Sequence, residues 1–190
     1  MPLVALLIAL REAPGVLAGD VPRLAFSWVP ALGLDLALRL DGLSLMFVLL
    51  ILGIGLLIIL YARHYLSTAD SMPRFYAFLM LFMAAMLGIV MADNLILLWM
   101  FWELTSLSSF LLIGFWNHQS GARKGARMAL AVTGMGGLAL LAGLILIGQI
   151  VGTFDMQTVL DSRDVILDDP RYLPALLLIL LGAFTKSAQF

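Results

Sequence analysis

Residues 95–116 read LILLWMFWELTSLSSFLLIGFW, an apolar run with one acid, Glu103, near its middle and no lysine or arginine beside it. Wound as a helix at ~1.5 Å per residue, the run is about as long as the ~30 Å hydrocarbon core of a bilayer. Lipid supplies no water to backbone N–H and C=O groups, so a spanning segment must satisfy them internally, and the α-helix does so. An ionised carboxylate is costly in hydrocarbon, and a chain that keeps one there is usually using it.

Four more runs of the same kind flank this one: Gly42–Tyr61, Phe75–Ala92, Met128–Val151 and Leu173–Phe190. Each has about the ~20 residues that a transmembrane helix needs, and none alternates in the period-2 pattern of a barrel strand. The chain is 63% hydrophobic and 12% charged, with a mean hydropathy of +1.06, against roughly half apolar and a quarter charged in soluble domains. The expected fold is an all-α, polytopic transmembrane bundle of about five spans, part of a larger many-helix fold. Residues 41–190 would form the bundle and residues 1–40 a partial span and a loop.

Met1–Leu10 is too short to span and is closed by Arg11 and Glu12; it fits the tail of a longer span better than a signal peptide, having no basic n-region. The Pro- and Gly-rich stretch up to Asp41 reads as loop. The abrupt ends suggest a chain truncated on both sides. The net charge of −1 offers no basic field for nucleic acid, and the absence of cysteine excludes disulfides, cysteine-ligated zinc and Fe–S clusters. Two histidines in separate loops make no metal or haem site, so no cofactor is expected and any redox chemistry would belong to a partner.

Asp93-Asn94 alone separates the second and third spans, which must therefore form an antiparallel hairpin. The loop Asn117–Arg127 carries Arg123, Lys124 and Arg127 with no acid, and Arg63 and Arg74 flank the loop before Phe75, whereas Gly152–Tyr172 is rich in Asp. By the positive-inside rule the two basic loops face the cytoplasm. Small residues recur in the fourth span at Ala139, Gly143, Gly148 and Gly152, and the Gly148–Gly152 pair has GxxxG spacing; ordinary bundle packing accounts for them.

A second intramembrane charge, Lys186, lies in the last run. Counting from Leu95 and Leu173, Glu103 is about 12 Å deep and Lys186 about 20 Å. Both depths are central, and two long side chains with one water between them could close the ~8 Å difference. Paired, each group favours the charged form of the other; drawn apart, the lysine is pushed toward neutrality and can release its proton. Trp99, Ser106 and Phe110 share the Glu103 face, Thr105, Ser108 and Ser109 add hydroxyls, and Thr185, Ser187 and Gln189 surround Lys186. The competing structural readings are back-bonding for each hydroxyl, an ordering ion pair for Glu103, and snorkelling for Lys186. Asp93 reads as a turn residue, His64 and His118 as interfacial, and the methionines as packing filler.

The motif FWELTSLSSFLLIG at residues 101–114 resembles the glutamate-bearing helix of antiporter-like proton-translocating subunits, and GAFTKSAQF at 182–190 resembles their lysine-bearing helix. Asp41-Gly42-Leu43-Ser44 and Ala92-Asp93-Asn94 also fit, so the resemblance covers about residues 40–190. The family includes the large membrane subunits of complex I and the A and D subunits of Mrp-type multisubunit cation/proton antiporters. Thr-Ser-Leu-Ser-Ser after Glu103 and Ala-Phe-Thr before Lys186 are similar to the form found in the Mrp A subunit. The resemblance implies that Glu103 and Lys186 form the paired switch of a proton relay exchanging Na⁺ for H⁺, with Ser106, Thr105, Thr185 and Ser187 as polar lining. It implies partner antiporter subunits in a hetero-oligomer in a prokaryotic plasma membrane. The alternative it leaves is a proton-pumping membrane-arm subunit of NADH:quinone oxidoreductase. A structural scaffold whose charges merely pair is the third possibility.

Overall fold

The computed structural model describes residues 1–29, 34–67 and 70–187. Gln189 and the last residues of the fifth apolar run lie outside the described residues. The helices are α1 (Pro2–Leu17), α2 (Gly42–Tyr65), α3 (Met72–Met91), α4 (Leu95–Ile113), α5 (Ser120–Val151), α6 (Met156–Asp161), α7 (Arg163–Asp168) and α8 (Tyr172–Lys186); β1 (Arg23–Val29) and β2 (Leu34–Arg39) lie between α1 and α2. Helices α2, α3, α4 and α5 are long and apolar enough to cross a membrane, and α8 is a shorter apolar helix. The chain is a multi-pass membrane protein.

Local chemistry sets the helix starts. Asp41 caps α2 through its Oδ1, which accepts from the Ser44 amide at 2.8 Å. Asn94 caps α4, its Oδ1 accepting from the Ile96 and Leu97 amides at 3.0 and 3.2 Å. A capped start one residue after Asp93 lets α3 turn directly into α4. At ~1.5 Å per residue the 32-residue α5 exceeds a ~30 Å core.

Three expectations need correction. The stretch before Asp41 is not all loop: Arg23–Val29 and Leu34–Arg39 pair antiparallel, with Arg23 opposite Arg39. Leu24, Phe26 and Trp28 alternate with Arg23, Ala25 and Ser27, and Leu36 and Leu38 with Asp35, Ala37 and Arg39, a period-2 pattern that the surrounding Pro and Gly residues outweigh in a reading for loop. Helix α1 runs through Arg11 and Glu12 to Leu17, since both side chains are exposed and leave the backbone pattern intact. Most of the basic loop is helix: α5 begins at Ser120, and Arg123, Lys124 and Arg127 lie on its first turns.

Two larger apolar clusters hold the middle of the bundle, and a smaller one of Ala62, Leu66 and Phe115 closes one end of it. Val48, Leu52, Leu79 and Met83 join α2 to α3, with Ala9 of α1 against them. Leu95, Leu140, Leu144, Ile147 and Ala175 join α4, α5 and α8. The α5–α8 contact is close enough that a Cβ at Gly143 would lie 2.9 Å from the Ala175 carbonyl oxygen, and one at Gly182 would lie 2.8 Å from that of Gly136. The GxxxG pair makes no such seam. The Phe154 ring covers Gly148, and Gly152 ends α5 at φ +84° with nothing near it.

Candidate functional site

Two acids mark α4 at different levels, and the fold treats them differently. Just before its first residue, the Asp93 side chain is 1% exposed. Arg23 of β1 reaches it with Nε 2.6 Å from Oδ2, and Arg39 of β2 with Nε 3.5 Å from Oδ1. Arg23 also pairs with Asp155. Arg39 pairs with Asp41 at 3.1 Å and donates to Gln157 Oε1 at 2.6 Å. Backbone bonds seal the junction: Asp93 N–H donates to Ala37 O at 2.8 Å, Leu95 N–H to Phe154 O at 2.8 Å, and Met156 N–H to Asp93 O at 3.1 Å. Burial raises the pKa of Asp93 above the usual carboxylate value, against the pull of both arginines. The hydrogen bond from the Ser44 amide leads those that hold Asp41 below it. Burial pushes Asp155 up, but bonds from Thr158 and Arg23 outweigh it and leave it lowered. Asp93 is thus a turn residue and also the centre of a clasp that fixes the β-hairpin to the end of the bundle.

Deeper in α4, Trp99 donates from Nε1 to the Gly137 carbonyl of α5 at 2.8 Å. One turn on, the Glu103 carboxylate lies against Gly137 itself, and its Oε1 is buried with no hydrogen-bond partner among the described residues. From α8, Lys186 Nζ donates to Ser106 Oγ at 2.7 Å and to the Trp102 carbonyl at 3.3 Å, and stands 5.4 Å from the centre of the Trp102 ring. The ammonium therefore meets α4 at the residues on either side of Glu103. It makes no ion pair with that carboxylate within 4.0 Å.

The other lining residues separate. Thr105 is 1% exposed and donates to the Trp102 carbonyl of its own helix at 2.7 Å; Ser108 does likewise to Leu104 O at 2.7 Å. Thr185 donates to Gly182 O at 2.8 Å and packs on Gly136 of α5. Ser187 is exposed at the end of α8, donating to Phe184 O at 3.5 Å. Glu103, Lys186 and Ser106 are brought together; Thr105 shares their acceptor; Thr185 and Ser187 face elsewhere. Sequence reasoning missed the Trp102 carbonyl, the Gly136–Gly137 pair and the arginine partners of Asp93. A backbone acceptor leaves no mark in the sequence, and nothing in residues 134–137 (GMGG) says which glycine meets a carboxylate.

The family described as "NADH:quinone oxidoreductase/Mrp antiporter, TM" matches residues 92–190, and that described as "NADH-Ubiquinone oxidoreductase (complex I), chain 5 N-terminus" matches residues 27–76. The probable K(+)/H(+) antiporter A/B subunit of Rhizobium meliloti is 53% identical over 99% of this chain and 19% of its own length. The Na(+)/H(+) antiporter A subunit of Alkalihalophilus pseudofirmus is 45% identical over 100% of this chain and 24% of its own. The chain thus spans about a fifth to a quarter of the length of the curated relatives it matches. Among solved structures, the Mrp complex from Dietzia sp. DQ12-45-1b superposes with a TM-score of 0.86 at 33% identity, covering 97% of this chain and 20% of that one. An archaeal membrane-bound sulfane sulfur reductase shares the fold, with a TM-score of 0.78 at 21% identity over 96% of this chain and 37% of that one.

Proposed function

The chain belongs to the NADH:quinone oxidoreductase/Mrp antiporter transmembrane family, and on that premise we propose that it carries a proton half-site of the A subunit of an Mrp-type antiporter, exchanging Na⁺ or another monovalent cation for H⁺ through Glu103 and Lys186. The observation that carries this reading is the reach of Lys186 Nζ from α8 to the Trp102 carbonyl and the Ser106 hydroxyl, on both sides of Glu103. In a low-dielectric interior the carboxylate and ammonium stabilise one another's charge when near, and each becomes costly alone. Lys186 sits on neutral acceptors, and Glu103 keeps one oxygen open, so a small approach or retreat of α8 changes which group holds the proton. The names of the relatives support the cation exchange. The Mrp complex among the structural neighbours supports partner subunits in a hetero-oligomer. A prokaryotic plasma membrane, with the Asp93 end outward and the Arg123–Arg127 end in the cytoplasm, fits the positive-inside rule.

The test is Glu103→Ala in the full-length subunit, assembled with its partners and assayed in everted vesicles for Na⁺- or K⁺-driven pH collapse. Exchange is expected to disappear while the amount of complex in the membrane persists. Exchange at the wild-type rate would remove the relay. The match of residues 27–76 to the complex I chain favours one other reading, a proton-pumping membrane subunit of NADH:quinone oxidoreductase. Flavin or Fe–S absorbance co-purifying with the complex would select it.

A further inference from the structure

Helix α5 is the wall that α4 and α8 share, and two adjacent glycines on it receive one side chain from each. A Cβ built on Gly137 falls on Oε1 of Glu103 and lies 2.6 Å from its Cδ. A Cβ built on Gly136 falls on Oγ1 of Thr185, the neighbour of Lys186, and lies 2.6 Å from its Cβ and 2.8 Å from its Cγ2. At ~3.6 residues per turn, adjacent positions diverge by about 100°, so one glycine looks toward α4 and the other toward α8. Gly134, on the same helix, has nothing within 4 Å. The Trp99 bond to the Gly137 carbonyl pins α4 to this point, and the Gly182 contact with the Gly136 carbonyl pins α8.

We propose that Gly136 and Gly137 are positioning residues of the relay, whose missing side chains set how far Glu103 and Lys186 seat toward one another. The inference rests on the relay reading above. The two charges make no direct ion pair, so their separation depends on how each helix is seated: the Glu103 carboxylate leans on Gly137, and α8, which carries Lys186 to its acceptors on α4, is seated on α5 through Thr185 and Gly182. A roll or slide of α5 would shift the carboxylate and the backbone of α8 that carries Lys186.

A suppressor cycle in the full-length, assembled antiporter tests this. Gly137→Ala drives a methyl into the carboxylate and is expected to slow exchange by on the order of 100-fold, the scale on which a misplaced reacting group fails. Gly134→Ala, the same chemical change at a glycine of α5 that meets neither Glu103 nor Thr185, is expected to leave exchange unchanged. Adding Glu103→Asp, which shortens the acid by one methylene, is expected to restore part of the loss in Gly137→Ala, so that the pair is faster than Gly137→Ala alone. Should Gly137→Ala prevent assembly, the amount of complex in the membrane becomes the readout, and Gly137→Ala with Glu103→Ala is expected to recover it. Wild-type exchange in Gly137→Ala overturns the inference, as does a loss that no change at Glu103 relieves. Exchange persisting in Glu103→Ala with an intact Gly137 would instead overturn the relay.

Discussion

Arg23→Ala tests whether the β-hairpin is clasped to the bundle by charge. The substitution removes the ion pair at 2.6 Å from Asp93 and the contact with Asp155, leaving Asp93 with Arg39 at 3.5 Å. Breaking a fully buried pair costs about 3–5 kcal/mol, and a surface pair about 0–1 kcal/mol. Asp93 belongs to the first class at 1% side-chain exposure and Arg23 nearer the second at 45%. Arg39 also stays in place, so the expected loss of hairpin docking is about 1–2 kcal/mol, or roughly a 5–30-fold rise in the undocked population. Hydrogen exchange on the reconstituted full-length protein reads this directly. Amides of Arg23–Val29 and Leu34–Arg39, and that of Asp93, which donates to Ala37 O, should exchange faster by that factor while the middle of α5 is unchanged. Arg23→Lys keeps the charge without the guanidinium fork and should fall between. Adding Asp93→Asn to Arg23→Ala should recover part of the protection, because the buried charge is then gone. Wild-type exchange in Arg23→Ala would mean that the backbone bonds alone hold the hairpin, and would refute the charge argument.

Ser106→Ala removes the shorter of the two hydrogen bonds to the Lys186 ammonium; such a bond is worth about 1.5–3 kcal/mol, so exchange should slow by about tenfold or more at unchanged abundance, and a wild-type rate would take Ser106 out of the relay. The clasp also has a pH signature. Asp93, raised by burial, binds its proton more tightly in the fold, so falling pH favours the docked hairpin as Asp93 is protonated. Asp41 and Asp155 are lowered, so their contribution is complete above the ordinary carboxylate value of about 4 and is lost as pH falls through their folded values. Hairpin protection, corrected for intrinsic exchange, should therefore hold or rise slightly from neutrality toward about pH 5 and fall below about pH 4.

Legibility followed physical cause. The spans were readable because lipid forces long apolar helices, and Glu103 and Lys186 because charges are rare in such runs. The capped start at Asn94 follows from an Asx side chain with two amides in reach. The hairpin is harder to read because its two short alternating strands are framed by Pro and Gly residues that signal loop, and its docking is polar, resting on Arg23, Arg39 and Asp93, residues far apart in sequence. The charge of Arg123, Lys124 and Arg127 breaks the apolar run and so suggests a loop, yet charged residues sustain a helix well once it leaves the bilayer. The spacing of Gly152 from Gly148 suggests packing, whereas its positive φ makes it the end of α5.

Asp93 and Glu103 bring the same carboxylate chemistry to the start and the middle of α4, and the difference in their surroundings bears on what each is for. A carboxylate kept for structure should have its counter-charge built in place. Asp93 does: two guanidinium groups from the hairpin meet it, and neither strand can leave without breaking an ion pair to that carboxylate. Glu103 meets no arginine among the described residues. The cation nearest it arrives from another helix and stops on a hydroxyl and a carbonyl beside it, while its own Oε1 stays open against a glycine. Replacing an idle charge there with an apolar residue would stabilise the bundle, since an unpartnered buried oxygen costs about 1–3 kcal/mol. The ordering-pair explanation thus fits the acid at the start of α4, and the one in its middle is the acid that calls for a task.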